Sequence, residues 1–226
     1  MPTVFTRRVG RLGHAYGRRR YTTLFYSLLF MLVAGPVFAT LRLGGGVLEL
    51  FLAAILLMAV IPVGSGRTRS LLLAGLAVLL AARVAAAWLG HSALSAIALV
   101  MWTLVALVAA AGALRFAMRS RTVHAEHLYA ALSAYLLAGI FLGLLYWVLE
   151  QLRPSTFFTA TGEFSRTSAI YFSFVTLATL GYGDIVPRSD LARGLAVVEG
   201  IGGQLFLAVL VARMVSSYVR GKDNAD

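Results

Sequence analysis

Six consecutive residues, Thr179-Leu180-Gly181-Tyr182-Gly183-Asp184, concentrate the chemistry open to this chain. The two glycines are spaced by one residue, and glycine takes positive φ at no steric cost. Successive backbone carbonyls can therefore turn to the same side. One strand of carbonyls cannot surround an ion. Four copies about an axis can, because stacked rings of oxygen then replace the hydration shell of a monovalent cation. The Thr179 hydroxyl adds an oxygen at one end. Each chain carries one such segment, so this chemistry needs several copies around a common axis.

Such a segment has to be held at depth in an apolar medium, and composition supplies one. Of 226 residues, 60% are hydrophobic and 13% charged, which predicts a membrane protein. Apolar stretches long enough to span run over about 24–41, 47–63, 70–89, 95–114, 128–149 and 194–217. A seventh, about 167–178, is too short to cross and leads straight into the glycine pair, so it is expected to be a re-entrant helix capped by Ser165 or Thr167. The C-terminal end of that helix carries partial negative charge that favours a cation beside it. No cysteine is present, which excludes disulfides and thiolate chemistry.

The net charge of +11 is a matter of topology rather than of nucleic-acid binding. Arg7, Arg8, Arg11, Arg18, Arg19 and Arg20 precede the first span, Arg67 and Arg69 follow the second, Arg115, Arg119 and Arg121 follow the fourth, and Arg220 and Lys222 follow the sixth. All lie on one side if six helices cross in turn, so both termini are expected in the cytoplasm of a multi-pass cell-membrane protein. Nothing has the pattern of a cleavable signal peptide. Richness in alanine, arginine and leucine points to a bacterial inner membrane.

The segment Tyr171–Asp184 resembles the pore loop of potassium channels, whose signature is Thr-Val/Ile-Gly-Tyr/Phe-Gly-Asp. Leu180 is a mild departure at the second position, and Asp184 and Pro187 fit the pattern beyond it. The pore-level resemblance covers about 128–218, and the six-span layout is similar to bacterial six-span potassium channels. It implies an all-α membrane protein of six transmembrane helices with a re-entrant pore helix and filter loop, assembled as a fourfold homotetramer in the lipid bilayer. Potassium is then the permeant ion, coordinated by Thr179, Leu180, Gly181 and Tyr182, with Gly183 completing the filter and no resident cofactor. Tyr171 and Phe172 match bracing aromatics of the family's pore helix, and Asp184 supports the filter from outside. Val175 stands where some members carry a glutamate, so the glutamate–aspartate pair of those members is not expected here.

The organisation expected on this basis is a basic segment over 1–23 and a four-helix sensor-like unit over 24–121. A pore domain follows over 122–218, then a tail, 219–226, too short for a regulatory domain. In the sixth span, Gly200, Gly202 and Gly203 interrupt the helical pattern. Gly203 matches the family's gating hinge by gap-free counting from Gly183, and close helix packing is the alternative. Glu199 is ionisable inside a span and must face protein or water. It either acts behind the filter or near the pore, or ties to a neighbouring subunit for structure. Gln204 is expected toward a central cavity, with Ala208 and Ala212 below it.

The fourth span, 95–114, contains no charged residue, so voltage dependence is expected to be weak or absent. Arg115 and Arg119 as a minimal sensor are the alternative. Glu49 and Arg83 fall at similar depth and are expected either to form a buried ion pair or to snorkel separately. His124 and His127, near Glu126, are expected to be solvated or at the lipid interface, with proton-linked gating as the alternative. A non-selective channel would have lost Tyr182 or Gly183. A potassium transporter would carry several degenerate filters in one long chain. No cluster suited to catalysis is present, so no enzymatic activity is expected.

Overall fold

The computed structural model describes residues 20–35, 37, 74, 92–119, 125–160, 162 and 164–223. The expected second and third spans, the Glu49–Arg83 pair and His124 lie outside them. Five helices are described: α1 (20–35), α2 (Ser92–Arg119), α3 (Ala125–Leu152), α4 (Arg166–Leu177) and α5 (Asp190–Asp223). Two short strands, β1 (Phe157–Thr159) and β2 (Ile185–Pro187), flank α4. Among the described residues, Ala125–Leu152 and Asp190–Ser216 are long and apolar enough to cross a membrane.

α3 is the centre of the packing. Its sequence is apolar on every side and free of proline, which suits a helix buried between others. One face meets α1 and α2. There Ala106, Ala109, Ala113 and Ala117 of α2 recur at helical spacing and let Tyr21, Leu24, Leu28 and Met31 of α1 come close. The N-terminal end of α3 is locked by Glu126. Its carboxylate accepts from the Tyr21 backbone N–H (3.0 Å) and the Thr22 hydroxyl (2.5 Å), two donors in the first turn of α1. His127 stacks on Phe116 at 4.9 Å, so its ring packs on α2.

The opposite face of α3 receives α4, and small residues set the approach. A Cβ at Gly143 would lie 2.6 Å from the Ile170 Cα, and one at Gly139 would lie 2.7 Å from the Phe174 ring. This four-residue spacing of glycines is the close-approach pattern of membrane helices. An aromatic cluster joins α4, α3 and β1: Phe157 stacks on Phe164 at 4.4 Å and meets Phe172 edge-on at 5.4 Å, and Phe172 meets Tyr146 at 5.1 Å.

The β1–β2 ribbon departs from the expectation of a purely helical chain. It is antiparallel, with Phe157 opposite Pro187, Phe158 opposite Val186 and Thr159 opposite Ile185. Backbone bonds extend it, from Ala160 N–H to Asp184 O (2.9 Å) and from Arg188 N–H to Thr156 O (2.7 Å). Three-residue strands leave no period to read, although aromatic and β-branched residues on both sides favour extended chain. The ribbon ties the chain leaving residues 179–184 to the chain that enters α4.

Candidate pore segment

Ser165 is the N-cap of α4, its side chain accepting from the Ser168 N–H at 3.1 Å; Thr167 lies inside the helix. At the other end, Thr179 N–H donates to Thr176 O (3.0 Å) and Leu180 N–H to Val175 O (2.8 Å). These are the 5→2 and 6→1 bonds of a Schellman motif, which puts Thr179 at the left-handed position usually held by glycine. Its φ of +57° confirms it. A β-branched residue there costs on the order of 1–2 kcal/mol, strain of the kind that clusters at functional positions.

The left-handed φ then recurs at every second residue. Gly181 is at +59° and Gly183 at +79°, while Leu180 and Tyr182 between them are not in that region. Among the described residues, the carbonyls of Gly181, Tyr182 and Gly183 accept no backbone hydrogen bond. Leu180 and Tyr182 are 57% and 67% exposed in the single chain. These carbonyls stand outside any helix or strand ladder, in alternating backbone conformation.

The expected supports take distinct places. Phe172 and Val175 are buried behind the segment. Tyr171 turns outward, its ring parallel to Tyr182 at 6.4 Å. At the N-terminal end of the segment, Gln204 Nε2 lies 3.5 Å from Thr179 Oγ1, which brings α5 up to the same hydroxyl. Ala208 and Ala212 are exposed further along α5.

Gly203 faces α4: a Cβ there would lie 2.6 Å from Leu177 O. That carbonyl also accepts from Tyr135 Oη at 3.2 Å. Gly200 has ordinary room, with Thr176 O at 3.8 Å, and α5 runs unbroken through all three glycines.

Glu199 is 3% exposed and bound within its own chain, where a tie to a neighbouring subunit was one of the expectations. Tyr146 Oη donates to Oε2 at 2.6 Å, and Ser173 Oγ lies 2.5 Å from Oε1 and 2.8 Å from Gly139 O. One carboxyl thereby joins α3, α4 and α5. Tyr146, Ser173, Gly139 and Gly143 were not singled out from sequence. Their signal was available: hydroxyls and a glycine pair inside otherwise apolar helices, facing an ionisable residue in a third. The other tie missed was Arg213, whose Nη1 donates to Ala117 O at 2.5 Å, pairing a cation with the C-terminal end of α2.

Residues 131–220 match the family model described as Ion channel. An inward rectifier potassium channel, Kirbac3.1 of Paramagnetospirillum magnetotacticum, is 36% identical over 73 residues, 32% of this chain and 22% of that protein. Two-pore potassium channel 4 of Arabidopsis thaliana is 40% identical over 68 residues, 30% of this chain and 24% of that protein. Probable potassium channel protein 2 of Methanocaldococcus jannaschii is 41% identical over 58 residues, 24% of this chain and 16% of that protein. The chain thus spans about a quarter or less of the length of these relatives. No solved structure matches. The similarity over residues 131–220 is to ion channels, and the relatives named here are potassium channels.

Proposed function

We propose that this chain is one subunit of a homotetrameric, potassium-selective membrane channel that conducts passively, with weak or no voltage dependence and both termini in the cytoplasm. The observation that carries the reading is the alternation of left-handed φ at Thr179, Gly181 and Gly183 around carbonyls that accept no backbone hydrogen bond among the described residues. Four such strands would present rings of oxygen from Thr179, Leu180, Gly181 and Tyr182 to a dehydrated potassium ion. The Thr179 hydroxyl adds the innermost oxygens, and the C-terminal end of α4 favours a cation just inside them. Val198, Ile201, Leu205 and Val209 are exposed on α5 in the single chain, a surface suited to neighbouring subunits or lipid. No charged residue occurs from Ser92 to Leu114, which leaves nothing in that stretch for the membrane field to move.

The test is ion uptake into liposomes containing the purified protein, with native mass measured on the same sample. Uptake of potassium but not sodium by a four-chain particle is the expected result. Equal uptake of both ions would replace this reading with a non-selective channel. A monomer without flux would remove the channel reading altogether.

A further inference from the structure

We propose that Glu199 is carried as a neutral carboxylic acid, and that its proton completes a hydrogen-bonded chain through Ser173 to Gly139 that positions α4 behind the pore segment. This deepens the reading above, since it rests on α4 and residues 179–183 forming a pore element.

The argument is a count of protons. Ser173 Oγ makes two close oxygen–oxygen contacts, 2.5 Å to Glu199 Oε1 and 2.8 Å to Gly139 O. Each needs a hydrogen between the oxygens, because two lone pairs facing each other at that distance repel. The serine hydroxyl owns one hydrogen, and the Gly139 carbonyl owns none. The second must come from Glu199. With the carboxyl protonated, Glu199 donates to Ser173 Oγ, Ser173 donates to Gly139 O, and Tyr146 donates to Glu199 Oε2. Every hydroxyl hydrogen is then used and every short contact has one.

The surroundings agree. Tyr146 and Tyr135 are the titratable groups that α3 turns toward Glu199, and α4 offers Ser173. Elsewhere on α4, Tyr171 stacks against Tyr182 and Arg166 lies over the Trp147 ring at 5.9 Å. On α5 itself, Arg193 is bound to Pro187 O and Arg213 to Ala117 O. Among the described residues no cation faces the carboxyl. A buried carboxylate without a cation pays a large desolvation cost, which protonation removes.

Glu199 is thus a positioning residue. Ionising it at alkaline pH leaves the Ser173–Gly139 contact without a hydrogen and loosens α4 from α3. The experiment is infrared spectroscopy of the purified channel with carboxyl-labelled glutamate, alongside Glu199→Gln, Ser173→Ala and Glu199→Ala. At neutral pH the wild type should show the carbonyl stretch of a protonated carboxylic acid. That band should vanish in Glu199→Gln, shift without vanishing in Ser173→Ala, and disappear from the wild type at alkaline pH together with assembly or selectivity. Glu199→Gln mimics the neutral acid and should assemble, keep its selectivity and lose the alkaline sensitivity, unlike Glu199→Ala. Absence of the band in the wild type would overturn the proposal. So would a Glu199→Gln protein that fails to assemble, or one as sensitive to alkali as the wild type. The infrared signal is read without any current, so a protonated Glu199 in a protein that fails to select potassium would sink the functional reading and leave this one standing.

Discussion

Replacing Gly203 with alanine adds one methyl group at the point where α5 meets the end of α4. The new Cβ would lie 2.6 Å from Leu177 O, 3.0 Å from Leu177 Cδ1 and 3.2 Å from Leu177 Cγ. Ordinary contact would require α5 and the α4 terminus to separate by several tenths of an ångström. The carbonyl in the way also accepts from Tyr135 Oη at 3.2 Å and lies just before the Schellman turn, so the displacement passes straight to Thr179. Forced overpacking costs about 1–3 kcal/mol. Removing a helix-interior glycine returns about 1 kcal/mol. The net expectation is a loss of roughly 0–2 kcal/mol, accompanied by weaker discrimination between potassium and sodium. The assay is thermal unfolding of the purified assembly in parallel with bilayer recording. A hinge without close packing predicts a different pattern: the alanine protein would gain about 1 kcal/mol from propensity, keep its selectivity and change only its open probability. That result would refute the packing argument.

Three further outcomes follow from the same geometry. Gly143→Ala drives a methyl group into the Ile170 backbone, whereas Gly139→Ala meets the far end of the Phe174 ring, which can swing away. The first should cost about 1–3 kcal/mol more in thermal or denaturant unfolding than the second. Alanine at Gly181 (φ +59°) or Gly183 (φ +79°) should cost on the order of 1–2 kcal/mol per chain and abolish selective conduction, measured by potassium and sodium flux. Ser165→Ala removes the cap of α4 and should lower stability by about 0.5–2 kcal/mol while leaving ion selectivity unchanged, because the cap sits at the end of the helix away from Thr179.

The parts of this molecule that were legible in the sequence are those written in short runs. The Thr179–Asp184 motif, the short helix before it and the apolar lengths of α3 and α5 each lie within one continuous stretch, where spacing and hydrophobic length speak directly. Burial of Glu199 followed from its place in an apolar span, but its partners did not. Ser173 and Tyr146 stand 26 and 53 residues away, and nothing in local pattern says which hydroxyl meets which carboxyl. The same holds for Gly203: a glycine in a helix announces either a bend or a neighbour, and only the position of Leu177 O decides what a side chain would strike. Thr179 is a different case. Threonine is disfavoured at a left-handed C′ position, so backbone propensity argues against what is found. The β1–β2 ribbon was hidden by its brevity, since three residues cannot display a period.

The central claim is that four copies of residues 179–183 select potassium, and reversal potential measures that selection most directly. Purified protein in a planar bilayer, with potassium on one side and sodium on the other, should reverse near the potassium equilibrium potential. Clear current reversing near zero would contradict the account and mean that the segment containing Leu180 does not hold a selective shape.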